Sequence, residues 1–269
     1  TRRHLTRTDR RSIDAWFLSA LNRAVASTRE AMEGLYYKSA FRSGYFDLQT
    51  AWSWYLRRCG SRPHADVLKR FIEVQTKILA PFAPHMAEEI WHRIGHEDFI
   101  SSAAYPEANP AEIDERAEAA EALLQSTLAD IREIVKVTGL KPRRAALYVA
   151  PAWKTRVRAT AVDLARRGPV AMNVLMEKAL AEPGMRDRAK DVAAYAKKVT
   201  EDLRHVKRED LDRVAGVADE FAFFSENTSF LREELGLRVD VFRGDDAARW
   251  DPAKKADHAV PGRPAIYLE

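Results

Sequence analysis

The side chains that could do chemistry in this sequence are mostly cations. Arg57, Arg58, Lys141, Arg143, Arg144, Lys197, Lys198, Lys207 and Arg208 fall in turns, at helix ends or on the polar faces of amphipathic stretches. From such places a guanidinium or ammonium group can meet a phosphate oxygen without first leaving water. The net charge of +4 hides their grouping: residues 1–70 carry +8, 71–138 carry −8, 139–210 carry +8 and 211–269 carry −4. Two basic blocks separated by an acidic one predict two surfaces able to meet a polyanion, with the acidic helices turned away. Phosphate binding needs such a local excess, so the pattern points to a nucleic acid.

Other chemistries lack their equipment. His64, His85, His92 and His96 have no metal-ligand spacing and read as core or surface histidines. Cys59 is the single cysteine, so no intramolecular disulfide or thiolate zinc cluster can form, and it closes an apolar helical pattern as a structural thiol. No glycine-rich turn leads from a strand into a helix to cradle phosphates. No catalytic residue, metal or cofactor is therefore assigned to this chain. A run of about eighteen apolar residues, needed to span a membrane, is absent. The N-terminus begins at Thr1 with an arginine-rich stretch and lacks the layout of a signal peptide. The expected compartment is the cytosol, and the expected start a processed or excised one.

The elements that must position the cations are mainly helical. At 269 residues and 46% apolar content, the chain can build one large domain or two ordinary ones. Ile13, Trp16, Phe17, Ala20, Leu21 and Ala24 repeat at helical spacing, with Thr8 or Ser12 as the expected cap and Gly34 as the expected end. Phe41, Tyr45, Leu48, Trp52 and Tyr55 form a second stripe, whose aromatics read as core rather than as a platform for bases. After a turn at 60–63, a third helix starts near His64 and runs toward Pro81 and Pro84. That proline pair predicts a kinked helix over 80–91, packed against the stripes of Trp16 and Trp52, with Met86, Ile90 and Trp91 inward and Glu88 and Glu89 in water.

Residues 98–112, with Pro106 and Pro110, read as a crossing loop, dividing the chain into a helical bundle over 1–110 and an α+β domain over 111–269. In the second part an acidic helix is expected over 113–137 and a strand ending at Tyr148 and Val149. Helices follow over 151–168, 170–180 and 186–208. A last helix, capped by Gly236, leads to a strand at 237–242 and an extended end at 264–268.

Several strings carry a family resemblance. Leu79-Ala80-Pro81-Phe82-Ala83-Pro84-His85-Met86-Ala87-Glu88-Glu89-Ile90-Trp91 resembles the signature of the tRNA-binding helical bundle in class I synthetases for leucine, isoleucine and valine. Residues 14–18 and 54–58 look like the first two bundle helices of archaeal and eukaryotic-type leucyl-tRNA synthetases. Residues 148–154 are similar to the entry into their C-terminal domain, with Ala152 where Glu is usual, and 261–269 resemble their C-terminal ending. Arg93-Ile94-Gly95-His96 looks like most of the His-Ile-Gly-His motif that holds ATP in class I synthetases. It departs at Arg93 and closes a helix, where the motif opens one after a parallel strand, so it is rejected as an ATP site.

The resemblance implies a mainly α fold: a class I synthetase anticodon-binding-type helical bundle followed by a small α+β C-terminal domain. It implies the tRNA-binding C-terminal portion of a leucyl-tRNA synthetase, with tRNA(Leu) and the upstream catalytic and editing domains of the same polypeptide as partners, and no membrane. ATP is then used by the full-length enzyme. Without a nucleotide-binding strand-turn-helix or a Lys-Met-Ser-Lys-Ser loop, this chain alone is expected to be inactive. Because the family's C-terminal domain contacts the long variable arm, the resemblance also implies Arg263, Leu268 and Glu269 as residues that read it, while the basic helices hold phosphates. The alternatives are the same region of a valyl- or isoleucyl-tRNA synthetase, a stand-alone RNA-binding module and a helical interaction scaffold.

Overall fold

Amphipathic stripes become helices through most of the chain. The computed structural model describes residues 5–211 and 215–269, and its contacts divide the chain into two units, Thr1–Glu118 and Ala119–Glu269. The first unit contains α1 (Ser12–Glu33), α2 (Tyr37–Phe41), a π-helical turn (Arg42–Asp47), α3 (Leu48–Arg58), α4 (Ala65–Leu79) and α5 (Pro84–Arg93). Phe17 on α1 is fully buried and its ring centroid lies 5.1 Å from that of Trp52, 4.9 Å from Tyr55 and 5.6 Å from Phe71. The aromatic stripe therefore meets α1 and α4 around one ring. The π-turn brings Gly44 against two helices. A Cβ there would sit 2.5 Å from Ile78 Cγ2 and 2.8 Å from Thr28 Oγ1, so only glycine fits this crossing.

Neither Thr8 nor Ser12 caps α1. The cap position is Arg11, whose N–H is taken by Asp14 Oδ2 at 2.7 Å. The same fully buried carboxylate accepts from Arg7 Nη1 at 2.9 Å and from Tyr55 Oη at 2.6 Å. Arg7 also donates its N–H to Pro63 O at 3.0 Å and its Nε–H to Arg62 O at 3.1 Å. The segment before α1 is thus laced to the turn between α3 and α4.

The expected kinked helix over 80–91 is two helices with a turn between them. Pro84 sits in the first turn of α5, where its missing N–H has no intrahelical partner to lose. A full break resets the helical phase, so the expected faces appear only in part: Trp91 is buried and Glu89 exposed as expected, and Met86 and Glu88 depart. Met86 is 51% exposed, while half-buried Glu88 accepts the Ile100 N–H at 3.2 Å. Trp91 does not join the cluster of Trp16 and Trp52. It packs with Ala87 and Ile100, stacks on His96 at 3.5 Å and donates its Nε1–H to Asp98 at 3.1 Å.

The division between units falls inside α6 (Glu115–Thr138) rather than at 110. Ion pairs that composition does not reveal tie 112–118 to the bundle: Arg70 to Glu112 at 2.6 Å and Arg23 to Glu118 at 2.6 Å. The second unit continues with β1 (Arg144–Val149), α7 (Ala152–Ala165), α8 (Met172–Ala181), α9 (Ala189–Leu203), α10 (Glu220–Glu226), α11 (Thr228–Leu235), β2 (Arg238–Arg243) and β3 (Ala265–Leu268). Val157, Ala161, Leu175, Ala179, Val192 and Val199 form the core shared by α7, α8 and α9. The sheet has the order β2-β1-β3, with β2 parallel and β3 antiparallel to β1. Two expected helices are shorter. α9 stops at Leu203, leaving Lys207 and Arg208 beyond it, and the last helix breaks at Asn227 into α10 and α11. No helix among the described residues is long and apolar enough to cross a membrane.

Burial pushes the Asp14 carboxyl up, but the hydrogen bonds from Arg7 and Tyr55 outweigh it and hold the group below the ordinary aspartate range. A folded-state value below the unfolded one gives stabilisation that is complete above about pH 4 and is lost as pH falls through the folded value. Asp14→Asn should therefore cost about 3 to 5 kcal/mol near neutral pH, because Arg7 stays buried without its counter-charge. It should also flatten the acid limb of the stability curve. Urea denaturation across the acid range measures both, and an acid limb as steep as that of the parent protein would place the sensitive carboxylate elsewhere.

Candidate nucleic-acid interface

Strand pairing alone gathers charged groups at one end of the sheet. β3 runs antiparallel to β1, so Leu268 pairs with Ala145. Beyond it, Glu269 O accepts the N–H groups of Arg143 at 2.6 Å and Arg144 at 3.1 Å, and Glu269 N–H donates to Arg144 O at 2.9 Å. On the other side, Arg238 of β2 donates its N–H to Arg143 O at 3.0 Å. Next to these residues an open cleft is lined by Pro142, Arg143, Arg232, Gly236, Leu237 and Arg238. The side chains of Lys141, Arg143 and Glu269 are exposed, and so are Val137 at 73% and Leu140 at 48%. This end of the sheet thus offers cations for phosphates and a carboxylate able to accept from a base amino group.

Adjacent arginines have different fates. Arg144, expected to meet phosphate, is held within the domain: its Nε lies 2.7 Å from Asp240 Oδ2 and its guanidinium 3.9 Å from the centre of the Trp250 ring. Arg143, just before the strand, stays exposed. Arg238 shares Asp240 at 3.0 Å, and Arg232 donates to Val239 O at 3.1 Å. Arg232 and Arg238 were not among the sequence candidates, because no feature short of the strand register places them beside Arg143.

The remaining candidates lie on other elements. Lys197 and Lys198 are exposed on α9, opposite buried Val192, Tyr195 and Val199. Lys207 and Arg208 are exposed after that helix, and Arg208 joins Arg204 at the rim of a cavity walled by Val170, Leu203 and Leu211. Arg57 and Arg58 belong to the first unit, in the last turn of α3, where Arg57 lies 5.1 Å from the Trp54 ring. Arg263 is exposed at the far end of β3 from Glu269.

His64, His96 and the thiol take structural places, while His85 is exposed. His64 Nδ1 accepts the Asp66 N–H to cap α4, His96 lies flat on Trp91, and Cys59 is buried, which pushes its thiol up. Gly95, with φ +104°, follows the end of α5, so the segment 93–96 closes a helix as its reading required. One further residue escaped sequence reasoning although it closes the 148–154 segment that carries part of the family resemblance. Lys154 of α7 donates to Asp257 O at 2.9 Å and Ala259 O at 2.8 Å, and burial holds its ammonium below the usual lysine range.

A helical bundle followed by a small sheet that gathers cations beside the chain's end has the equipment of a nucleic-acid-binding module. A family model described as the anticodon-binding domain of tRNA ligase matches residues 14–149, from the buried carboxylate of Asp14 to the last residue of β1. The chain belongs to that family. It is 37% identical over 262 residues to the leucine–tRNA ligase of Methanococcoides burtonii, covering 96% of this chain and 27% of that protein. It is 35% identical over 257 residues to the leucine–tRNA ligase of Methanothrix thermoacetophila, covering 96% and 26%. With the leucine–tRNA ligase of Aeropyrum pernix it shares 36% identity over 263 residues, 98% of this chain and 26% of that one. The chain thus spans about a quarter of the length of the curated relatives it matches.

The contrast between neighbouring arginines can be measured. Arg143→Ala removes an exposed cation and should change stability by less than about 0.5 kcal/mol. Arg144→Ala takes away the nearest partner of Asp240 and the cation over Trp250, and should cost about 1 to 3 kcal/mol. Equal losses in urea denaturation would mean that both side chains serve the fold.

Proposed function

We propose that this chain is the tRNA-binding C-terminal portion of a leucyl-tRNA synthetase. In this reading it grips tRNA(Leu) by its stem and long variable arm, so that a catalytic domain upstream in the same polypeptide can attach leucine. ATP and the editing step belong to those upstream parts, and the work is cytoplasmic. The observation that carries the reading is the pinning of Glu269 by its main chain to Arg143 and Arg144, which leaves its side chain exposed among cations. The leucine–tRNA ligases that match along 96% to 98% of the chain support the choice of amino acid.

Two kinds of contact are needed. Lys141, Arg143, Lys197, Lys198, Lys207, Arg208, Arg57 and Arg58 supply cations for phosphates, which every tRNA carries. Phosphate contacts alone would bind all tRNAs alike. Selectivity falls to the end of the chain, where Leu268, half-buried and paired with Ala145, anchors Glu269, and where Arg263 offers a fork for a base edge or phosphate.

Filter binding over a salt series separates these roles. With a long-armed leucine tRNA transcript and a short-armed valine tRNA transcript, Lys197→Ala or Arg143→Ala should weaken both complexes and lower the salt slope by about one. Glu269→Ala keeps the main-chain bonds that complete the sheet and should weaken the long-armed complex by about tenfold, leaving the other unchanged. Equal losses for both transcripts would rule out a reading role for the tail. A second assay addresses the missing chemistry: with leucine and ATP the chain should give no pyrophosphate exchange, and exchange above background would contradict the assignment as a non-catalytic portion.

A further inference from the structure

The turn that launches the terminal strand is gripped at both sides of one peptide bond. Val260 and Arg263 close it by exchanging main-chain hydrogen bonds of 2.9 and 3.2 Å. Pro261 and Gly262 lie at its centre, and Gly262 has φ +82°. Proline followed by a left-handed glycine is the signature of a type II turn. Among the described residues nothing lies within 4 Å of a Cβ built on Gly262, so backbone conformation, not space, calls for glycine. Type I and type II turns differ by a flip of their central peptide, which reverses the directions of its C=O and N–H.

Here both groups have side-chain partners. Arg158 Nη1 on α7 donates to Pro261 O at 3.2 Å, and Glu220 Oε1 at the start of α10 accepts the Gly262 N–H at 2.5 Å. Glu220 is 9% exposed, and its other oxygen has no hydrogen-bond partner among the described residues. The carboxylate is not there to cap its own helix, because Asp219 does so by accepting the Ala222 N–H at 3.0 Å. Lys154 precedes Arg158 by one helical turn on the same face of α7 and holds the carbonyls of Asp257 and Ala259.

We propose that Arg158 and Glu220 are positioning residues for RNA recognition: they clamp the peptide between Pro261 and Gly262 in the type II orientation. The clamp sets the direction in which Arg263 leaves the turn and the register in which β3 brings Glu269 to Arg143. This role in recognition rests on the proposed function, whereas the clamp itself does not.

Two readouts keep the clamp and its use apart. Amide hydrogen exchange at Gly262 in the free full chain reports the clamp: Glu220→Ala and Arg158→Met should each speed it by about tenfold, while Leu147 and Val239 keep their rates. Filter binding reports recognition: the same variants should lower the preference for leucine tRNA over short-armed valine tRNA transcripts by about fivefold. Glu220→Gln keeps an oxygen acceptor and should stay near the parent in both assays. Gly262→Ala strains the turn with both clamp residues present, and should lower the preference even if a clamp variant fails to fold. Unchanged exchange at Gly262 overturns the clamp, and faster exchange with unchanged preference overturns its role in recognition. A parent chain without any preference for the long-armed transcript overturns the proposed function and with it that role, while exchange still decides the clamp.

Discussion

Residues 145–149 of β1 are all buried, so their main-chain donors and acceptors have no water to turn to and must pair within the protein. β2 satisfies one side and β3 the other. Neither neighbour is close in sequence. Parallel pairing with β2 demands a crossover, which α7 to α11 provide, and antiparallel pairing with β3 uses the last residues of the chain. The sheet is therefore complete only when Glu269 is in place. β3 is held in place because a buried strand requires its hydrogen bonds.

In the first unit a carboxylate plays the corresponding part. Asp14 serves at once as cap for α1, counter-ion for Arg7 and acceptor for Tyr55, whose hydroxyl accepts the His64 N–H at 3.0 Å. Two regions some forty residues apart, 7–14 and 55–64, are joined through this carboxylate and the Tyr55 hydroxyl. A buried pair of this kind contributes little net stability against an apolar replacement, but it specifies which segments meet. Exposed cations such as Arg143 and Lys197 obey a different rule. A surface that binds phosphate by releasing counterions works best when its cations have no strong partner to give up. Arg144 has such a partner in Asp240 and is poorly suited to that task.

The long helices were legible because their apolar positions recur with helical spacing over several turns; β2 was legible from its alternation, and β3 only as an extended end. What escaped depended on encounters between distant residues. Proline at 84 read as a kink, yet the same residue is at home in a first turn, and nothing local decides between them. The π-turn around Gly44 follows from how closely α1 and α4 approach. The unit boundary moved from 110 to 118 because Glu112 and Glu118 found Arg70 and Arg23. At the interface, residue type was visible and commitment was not. Arg143 and Arg144 look alike in sequence, and only the register that brings Asp240 across from β2 distinguishes them.

The geometry of β3 also constrains how a tail could read RNA. Arg263 and Glu269 stand at opposite ends of a four-residue strand, and at the usual rise their Cα atoms are roughly 20 Å apart. That span exceeds the reach of two side chains toward a single nucleotide. Within the proposed function the two residues therefore meet different parts of the RNA, and their relative placement matters as much as their chemistry. A rigid spacer is required between them. Pairing with β1 makes β3 such a spacer, whereas a flexible tail would have to lose its conformational freedom on binding. Selective recognition by so few residues is physically reasonable when the fold has already ordered the strand that carries them.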